Sequence, residues 1–330
     1  MSATATAVAA GLAFVDALDG ARLEERAPAL RRLVALDATW WVDSGRDRLA
    51  GRHGQDPGER RSWPLHGTMP MEEKLALVER IGRSAFPQGL GRRVATRAFG
   101  DEMHAFVEMA GDGLHSSGKR YRNRYALVFE VDEQGLVRTV REYLDTLHAE
   151  GVFGASPASR RTAPVPPPAT ELKPQSRPEE LALSLWPALV AGDLDAFGAL
   201  FAPGATWWTD TGTDRERGEL DGDGGRPRSW PFHGVVPMDE KLDYMRARAA
   251  DGYGSAIAVH PSRCFSQGGL VAVEAESHAQ LANGLLYGNR YAFVLDIGPD
   301  GIRQVREYCD TLHIADVMGL DTTPDGGSAA

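Results

Sequence analysis

The stretch Trp40-Trp41-Val42-Asp43-Ser44-Gly45 recurs 167 residues downstream, as Trp207-Trp208-Thr209-Asp210-Thr211-Gly212. The same offset relates residues 62–67 (SWPLHG) to 229–234 (SWPFHG), and it relates residues 70–75 (PMEEKL) to 237–242 (PMDEKL). Blocks that recur in the same order at one spacing are typical of a duplicated domain.

The repeat continues to the end of each copy. Residues 123–126 (NRYA) recur at 289–292, and residues 141–148 (REYLDTLH) recur at 306–313 (REYCDTLH). The offset falls from 167 to 165 along the chain, so only single-residue deletions separate these blocks. We therefore expect the 330 residues to fold as two similar domains, each long enough to bury a core of its own.

The boundary between the domains is marked by composition. Residues 156–178 include Pro164-Val165-Pro166-Pro167-Pro168, which favours an extended polyproline spacer over a packed element. The sequence thus predicts a first domain at residues 1–155 and a second at 179–320. Residues 321–330, rich in small and polar residues, are expected to form a flexible tail.

The sequence of the first copy predicts the order of its helices and strands. Apolar residues at helical spacing in residues 8–36 predict two helices separated near Gly20. A third helix is expected after Pro70, because proline and an acidic first turn favour a helix N-terminus. Strands are predicted at residues 93–99, 103–110, 121–131 and 136–145. This order indicates an α+β fold, in which helices cover a curved antiparallel sheet and leave a cone-shaped hollow.

Composition narrows the possible functions. Apolar residues make up 42% of the chain, and no apolar run approaches the roughly 20 residues that cross a bilayer. Residues 1–20 lack the basic start of a signal peptide, so we expect a cytoplasmic protein with no membrane partner. A net charge of -10 argues against a nucleic-acid partner.

Metal and cofactor chemistry has no signature in the sequence. Cys264 and Cys309 lack metal-ligand spacing, and we expect small buried hydrophobic residues rather than catalytic thiols. The sequence shows no glycine-rich phosphate loop, metal-ligand cluster or nucleophile motif. We therefore expect no metal and no cofactor, which leaves acid–base chemistry on a hydrophobic small-molecule substrate.

The repeated blocks carry a resemblance to a known superfamily. Asp37–Trp40 (DATW) leads into the first strand, and the NRYA strand is followed, after a glycine turn, by the REYLDTLH strand. In these features, nearly all of each copy resembles the SnoaL-like branch of the nuclear-transport-factor-2-like superfamily, which includes polyketide cyclases and ketosteroid isomerases. Relatives commonly form homodimers, so the fused copies are expected to pack as an intramolecular pseudo-two-fold dimer.

The first candidate catalytic residues follow the repeated tryptophans. The resemblance to ketosteroid isomerases implies a general base near Asp43 and Asp210; the alternative is an aspartate that forms a turn with the next two residues. His66 and His233 precede a predicted helix and suit proton transfer near neutral pH. The alternative for these histidines is a hydrogen bond to the local backbone.

A second set of candidates ends the last strand. The set comprises the catalytic candidates Glu142, Asp145, Glu307 and Asp310 and the substrate-binding candidates Tyr143 and Tyr308. The resemblance to phenazine-biosynthesis proteins implies that Glu142 and Glu307 are the catalytic acids. Side chains alternate along a strand, so Tyr143 and Asp145 share one face while Glu142 and Leu144 share the other. The alternative is that these polar residues bridge a domain interface.

Other repeated polar residues are candidates for substrate binding. Glu108 and Glu274 interrupt apolar strands, which favours either a cavity lining or an ion pair with a cross-strand arginine such as Arg124. Asn123 and Tyr125 share a strand face and could donate hydrogen bonds to a substrate oxygen, or the tyrosine could pack in the core. The remaining candidates are Asn289, Tyr291, Trp40, Trp63, Trp207 and Trp230.

The superfamily supports many reactions, so the fold alone does not choose one. The preferred hypothesis is a cofactor-independent cyclase, isomerase or dehydratase that acts on a hydrophobic, oxygenated small molecule, in secondary metabolism. A second hypothesis is a non-catalytic binding or scaffold protein. A third is an epoxide hydrolase that uses Asp43, Arg124 and Asp145. The sequence leaves open which copy is active.

Overall fold

A computed structural model describes residues 3–19, 23–42, 67–89, 91–153, 171–209, 234–250, 257–281 and 283–318. The chain divides into two compact units, Met1–Ser159 and Arg160–Ala330. Most of the proline-rich segment and the C-terminal tail lie outside the described residues.

The first unit alternates between helices and strands. Its helices are α1 (Ala3–Asp19), α2 (Leu23–Arg31), α3 (Met71–Ala85) and α4 (Thr146–Phe153). Its strands are β1 (Val34–Val42), β2 (Gly67–Pro70), β3 (Arg92–Gly100), β4 (His104–Leu114), β5 (Arg120–Val131) and β6 (Val137–Leu144). Residues 34–36, expected to be helical, begin β1, and α4 was not predicted.

The sheet of the first unit is mixed, which corrects the prediction of an antiparallel sheet. Its strand order is β2-β1-β6-β5-β4-β3. The neighbours β3, β4, β5 and β6 pair antiparallel, whereas β1 and β6 pair parallel, with Val42 opposite Glu142. No hairpin joins β1 to β6, because most of the unit lies between them in sequence, so their relative direction is free of the constraint that a short turn imposes.

Helix α1 lies on the inner face of this sheet. A Cβ at Gly11 would approach Val107 and Phe129 to 3.1 Å, so the absence of a side chain lets the helix lie close to the strands. The Phe14 ring meets Trp40 and Phe129 at centroid distances of 5.3 Å. The resulting core joins α1 to β1 and β5 and forms one wall of a hollow.

The second unit repeats this order. Its helices are α5 (Arg177–Ala191), α6 (Leu194–Gly198), α7 (Met238–Ala250) and α8 (Thr311–Met318). Its strands are β7 (Phe201–Thr209), β8 (Gly234–Pro237), β9 (Ala258–Gln267), β10 (Leu270–Gln280), β11 (Leu286–Tyr287), β12 (Arg290–Gly298) and β13 (Gly301–Cys309). Strand β13 pairs parallel with β7 and antiparallel with β12, as β6 does with β1 and β5. The duplication read from the sequence is therefore a duplication of the fold.

None of the helices in the described part of the chain is long and apolar enough to cross a membrane.

Candidate active site

The first unit contains a hollow between its sheet and its helices. The cavity volume is about 90 Å³. Most of its lining is apolar or aromatic: Leu18, Trp40, Val42, Val78, Ile81, Phe86, Met109, Leu127, Leu144 and Phe153. Its polar lining residues are Arg26, Lys74, Arg93, Tyr121, Tyr125 and Glu142. An apolar cleft with a few convergent polar groups is the usual form of a small-molecule site.

One carboxylate in this hollow has two donors. Glu142 of β6 accepts a hydrogen bond at Oε2 from Trp40 Nε1 at 2.7 Å, because β1 and β6 are neighbours and both side chains face inward. Lys74, in the first turns of α3, donates to the same oxygen at 3.2 Å. Its ammonium also lies 4.7 Å from the centroid of the Trp40 ring. We call Trp40, Lys74 and Glu142 the first-unit triad.

The lysine of the triad is almost fully buried. The side chain of Lys74 is 2% exposed and that of Glu142 is 13% exposed. A buried ammonium is costly unless it is paired, so the carboxylate and the indole face together make this position tolerable. Both donors reach Oε2, and Oε1 has no hydrogen-bond partner among the described residues. The carboxylate is thus held at one oxygen, while the other is available to a ligand.

The second unit repeats the triad. Trp207 Nε1 donates to Glu307 Oε2 at 2.7 Å, and Lys241 Nζ lies 4.2 Å from the centroid of the Trp207 ring. Thr209 donates to the same carboxylate at 3.4 Å. Burial lowers the pKa of Lys241, and the negative charge of Glu307 opposes this shift in part. We call Trp207, Lys241 and Glu307 the second-unit triad.

Each unit contains a pair of buried tyrosines two strand positions on either side of its buried asparagine. Tyr121 and Tyr125 line the first hollow, and burial raises the pKa of Tyr121 well above its usual value, with a further contribution from Tyr125. In the second unit, the hydroxyl oxygens of Tyr287 and Tyr291 are 2.6 Å apart, and burial raises the pKa of both groups. The phenols of Tyr121, Tyr287 and Tyr291 therefore stay neutral near pH 7, and the Tyr291 hydroxyl donates to Oγ of Ser277 at 3.2 Å.

The amide of Asn123, predicted to donate a hydrogen bond to a substrate oxygen, instead donates to groups of the protein. The Asn123 amide donates to the Tyr121 hydroxyl at 3.1 Å and to the Asp145 carbonyl at 3.0 Å. Its own carbonyl accepts from the backbone N–H of Arg124 and of Asp145. Asn289 has the corresponding contacts. Both amide hydrogens of Asn123 are used within the protein, so this residue positions Tyr121 rather than facing a ligand.

The candidate aspartates begin helices. Asp145 is fully buried, and its carboxylate accepts the backbone N–H of His148 at 3.0 Å, which caps α4. Asp310 makes the same bond to His313 before α8. Asp145 does not line the cavity described here, whereas Glu142 and Leu144 both do, as strand alternation predicts. The epoxide-hydrolase hypothesis relied on Asp145. In the structure, the carboxylate of this residue caps the N-terminus of α4.

Several substrate-binding candidates lie on the opposite face of the sheet. Tyr143 packs edge-to-face on Trp41 at 5.1 Å, and Tyr308 packs on Trp208 at the same distance. The buried Glu108 forms an ion pair with Arg97 at 3.2 Å; Glu274 likewise pairs with Arg263 at 3.3 Å. Of the two alternatives for the strand glutamates, an ion pair with an arginine of a neighbouring strand is therefore observed.

Six predicted site residues lie outside the described residues. They are Asp43, Trp63, His66, Asp210, Trp230 and His233. Their roles remain predictions. Within the described part of the chain, no group of at least three His, Cys, Asp or Glu side chains is arranged to hold a metal ion.

Sequence reasoning missed Lys74 and Lys241, although a signal was present. Lys74 follows Met71 by three residues and precedes Val78 by four, so helical periodicity places it on the apolar face of α3. The same spacing occurs at Lys241, and the lysine recurs in both copies. Tyr121 and Tyr287 were missed for another reason, since they become site residues only through contacts between strands.

Comparison with known proteins gives structural likeness alone. No model of a known protein family and no curated protein sequence matches the chain. An NTF2-like protein of unknown function from Burkholderia pseudomallei is 14% identical, with a TM-score of 0.35, over 43% of this chain and 98% of its own. A SnoaL-like protein from Jannaschia sp. CCS1 is 14% identical, with a TM-score of 0.35, over 48% of this chain and 97% of its own.

A third solved structure has a ketosteroid isomerase-like fold. This protein, from Catenulispora acidiphila, is 15% identical to the chain, with a TM-score of 0.33. The match covers 44% of this chain and 98% of that one. Each similar protein thus accounts for less than half of the present chain.

Proposed function

We propose that this protein is a cofactor-independent acid–base enzyme of the cyclase, isomerase or dehydratase kind, acting on a small hydrophobic, oxygenated molecule. One observation carries the proposal: a glutamate held by a buried lysine and an indole N–H at the wall of an apolar hollow. The same three residue types recur in the second unit. Glu142 and Glu307 are the proposed general bases.

The environment of Glu142 suits proton abstraction. The donors Trp40 and Lys74 fix the orientation of the carboxylate through Oε2. The second oxygen is then directed to a substrate without the cost of reorienting the group. Apolar walls exclude water, which strengthens electrostatic interactions in the hollow. A positioned carboxylate of this kind is a usable base for a weakly acidic C–H bond.

The hollow also offers a cation for the charge that develops on the substrate. When Glu142 takes a proton from a carbon beside a carbonyl, the electron pair of the C–H bond moves towards the carbonyl oxygen and forms an enolate. The Lys74 ammonium, which lines the same hollow, supplies a positive charge that stabilises that oxygen. Return of the proton to another carbon gives isomerisation. Transfer of the proton to a β-hydroxyl, which leaves as water, gives dehydration. Attack of the enolate carbon on a second carbonyl, whose oxygen takes the proton, gives cyclisation.

Proton exchange tests this proposal without knowledge of the natural substrate. Compact ring-bearing ketones, such as indanone and phenylacetone, would be incubated with the full chain in deuterium oxide, and deuterium incorporation beside the carbonyl would be followed by NMR. Wild type should accelerate exchange over buffer. Glu142→Gln should reduce the exchange catalysed by the first unit by roughly 100-fold or more. Glu307→Gln is the matched variant, and the exchange that it loses is the part catalysed by the second unit.

If the protein only binds small molecules or acts as a scaffold, the opposite result is expected. In that case the ketones bind and shift resonances of the hollow, but exchange in wild type proceeds at the rate in buffer. In a chain that already carries Glu307→Gln and still accelerates exchange, an unchanged rate after Glu142→Gln would likewise remove Glu142 from the chemistry of the first unit.

A further inference from the structure

The chain uses lysine sparingly, and half of its lysines lie in the two triads. Of the 36 lysines and arginines, only Lys74, Lys119, Lys173 and Lys241 are lysines. Lys119 and Lys173 are exposed, whereas the other two are buried at equivalent positions of the two copies. An arginine would also supply a positive charge there, but a guanidinium keeps its proton in proteins, while a lysine amine can lose it. Lysine at these positions therefore suits the chemistry of an amine.

The surroundings of Lys74 are those of a nucleophilic amine. Its side chain is 2% exposed and lines the apolar hollow, and burial of this kind disfavours the charged form of an amine. Nζ lies 4.7 Å from the centroid of the Trp40 ring. Oε2 of Glu142 is 3.2 Å from Nζ, a separation at which a proton can pass directly between two groups. The amine, a proton acceptor and the apolar walls thus meet in one cavity.

The equivalent lysine of the second unit has similar surroundings. Lys241 is buried, and its Nζ lies 4.2 Å from the centroid of the Trp207 ring. Burial lowers the pKa of Lys241, and the negative charges of Glu307 and Cys309 oppose this shift only in part. A lowered pKa increases the fraction of neutral amine near pH 7, which is the nucleophilic form. The net effect of these surroundings on Lys241 therefore favours nucleophilic attack.

We propose that Lys74 and Lys241 are nucleophiles that form a covalent iminium with an aldehyde or ketone substrate. Lysines in hydrophobic pockets form such Schiff bases with carbonyl compounds. Esters and carboxylic acids do not give this product, so the substrate class narrows to aldehydes and ketones. The inference rests on the proposed function in placing a carbonyl compound in the hollow, and it adds a covalent step to that chemistry.

The atoms of this step balance within the triad and the substrate. Lys74 first gives one proton to Glu142, and the lone pair of Nζ forms a C–N bond with the carbonyl carbon. The carbonyl oxygen takes this proton from Glu142 and a second proton from Nζ, and it leaves as water. The lone pair that the second proton leaves on nitrogen then forms the C=N bond. The iminium carries one positive charge, and Glu142 is ionised again.

The iminium also activates the C–H bond that Glu142 is proposed to break. The carbon beside the former carbonyl carbon lies two bonds from Nζ in the adduct, and Nζ is within hydrogen-bond distance of Glu142. A positively charged iminium withdraws electrons from this C–H bond more strongly than a neutral carbonyl, so the bond becomes more acidic. Lys74 would thus both hold the substrate and prepare it for proton abstraction.

Reductive trapping tests the inference on the full wild-type chain. The protein would be incubated with phenylacetone and sodium cyanoborohydride, which reduces an iminium to a stable secondary amine, and the modified lysines would be located by peptide mapping with mass spectrometry. The two triad lysines should be modified at least about ten-fold faster than the exposed Lys119 and Lys173, because the hollow holds the ketone beside the amine. Equal modification of all four lysines, or none in the triads, would overturn the proposal.

Variants test the amine itself. Lys74→Arg keeps the positive charge and cannot form an iminium, so the first unit should no longer be modified, while modification of Lys241 continues. Lys173→Arg, at an exposed lysine, is the matched control and should leave the modification of both triad lysines unchanged. Adduct formation at the wild-type level in the double variant Lys74→Arg, Lys241→Arg would place the reaction at another amine and contradict the proposal.

Trapping and proton exchange separate this inference from the proposed function. Exchange into phenylacetone without an adduct at Lys74 or Lys241 would support the glutamates as bases and reject the iminium. Adducts at these lysines, with exchange at the rate in buffer, would support the iminium and reject the glutamates as bases. Both measurements use wild type, so they remain decisive if a substitution disturbs folding.

Discussion

The indole Nε1 of Trp40 donates a 2.7 Å hydrogen bond to Oε2 of Glu142. This bond joins two strands that are far apart in sequence, and it exists because β1 and β6 run parallel as neighbours. Trp207 and Glu307 repeat the bond at the same length. Because both copies form this tryptophan–glutamate bond, it connects the duplicated sequence directly to the two glutamates proposed as bases.

Removing this donor should weaken the first unit. Trp40→Phe keeps an aromatic ring but deletes the N–H, so Glu142 loses one of its two donors. A hydrogen bond to a charged group contributes about 1.5–3 kcal/mol, and the free energy of unfolding should fall by a similar amount. Urea unfolding followed by circular dichroism measures the change. Trp207→Phe should have the same effect on the second unit, and unchanged unfolding midpoints in both variants would show that the bond is not formed in solution.

The buried Lys241 predicts a pH dependence of stability. Its pKa in the folded protein is lowered below the ordinary value of 10.5, mainly by burial. Between the lowered pKa and 10.5, the unfolded chain binds more protons than the folded one, so stability rises with pH in this window. Lys241→Met should flatten the rise. Arg246→Met on the same helix, at an exposed cation, should preserve it.

The measurement for Lys241 is the thermal midpoint of each variant at a series of alkaline pH values. Tyrosines with raised pKa act in the opposite direction, because their stabilising effect is lost as pH rises above about 10. They are present in every variant, so the difference between variants isolates the lysine. A difference that does not change with pH would mean that Lys241 titrates normally.

The thiol of Cys264 should be unreactive in the folded protein. Burial raises its pKa from 9.0 to about 12, with a smaller contribution from Glu179. Reaction with a disulfide reagent requires the thiolate, so at pH 8 a Cys309→Ser variant should react at least about 100-fold more slowly when folded than in urea. Rapid labelling of the folded variant would show that Cys264 is accessible and ionised.

The buried amide of Asn123 should be essential to the first unit. Its four hydrogen bonds connect β5 to the end of β6, where Asp145 starts α4. Asn123→Ala leaves buried backbone groups and the Tyr121 hydroxyl without partners, and should cost at least about 2 kcal/mol in unfolding free energy. Thermal unfolding tests this, with Asn289→Ala as the equivalent change. A loss well under this value in both variants would indicate that water replaces the amide.

Much of the fold follows from the sequence, because its signals are local or repeated. The recurrence of the two-tryptophan stretch predicted two similar units, and apolar spacing placed α1, α3 and the strands β3 to β6 close to their observed limits. The parallel pairing of β1 with β6 could not be read in this way. Alternation along a strand reports which face is buried, but it says nothing about the direction of a distant neighbour.

The candidate site was predicted only in part. Strand alternation placed Glu142 and Leu144 on one face, and both line the hollow. The helix that follows was missed, although Asp145 before Thr146 is a common start signal, and this led to an interpretation of Asp145 as a site residue. The Asn123 amide is fully hydrogen-bonded because the backbone N–H and carbonyl of Asp145, just after β6, lie beside it, and only tertiary structure brings these groups together.

The most direct test of the central claim is the rate of deuterium exchange into indanone catalysed by the double variant Glu142→Gln, Glu307→Gln. Both triads lose their base in this chain, while the tryptophans, lysines and apolar walls remain. The account predicts exchange at the rate in buffer, with the fold preserved by circular dichroism. Exchange that persists at the wild-type rate would contradict the assignment of the two glutamates as general bases.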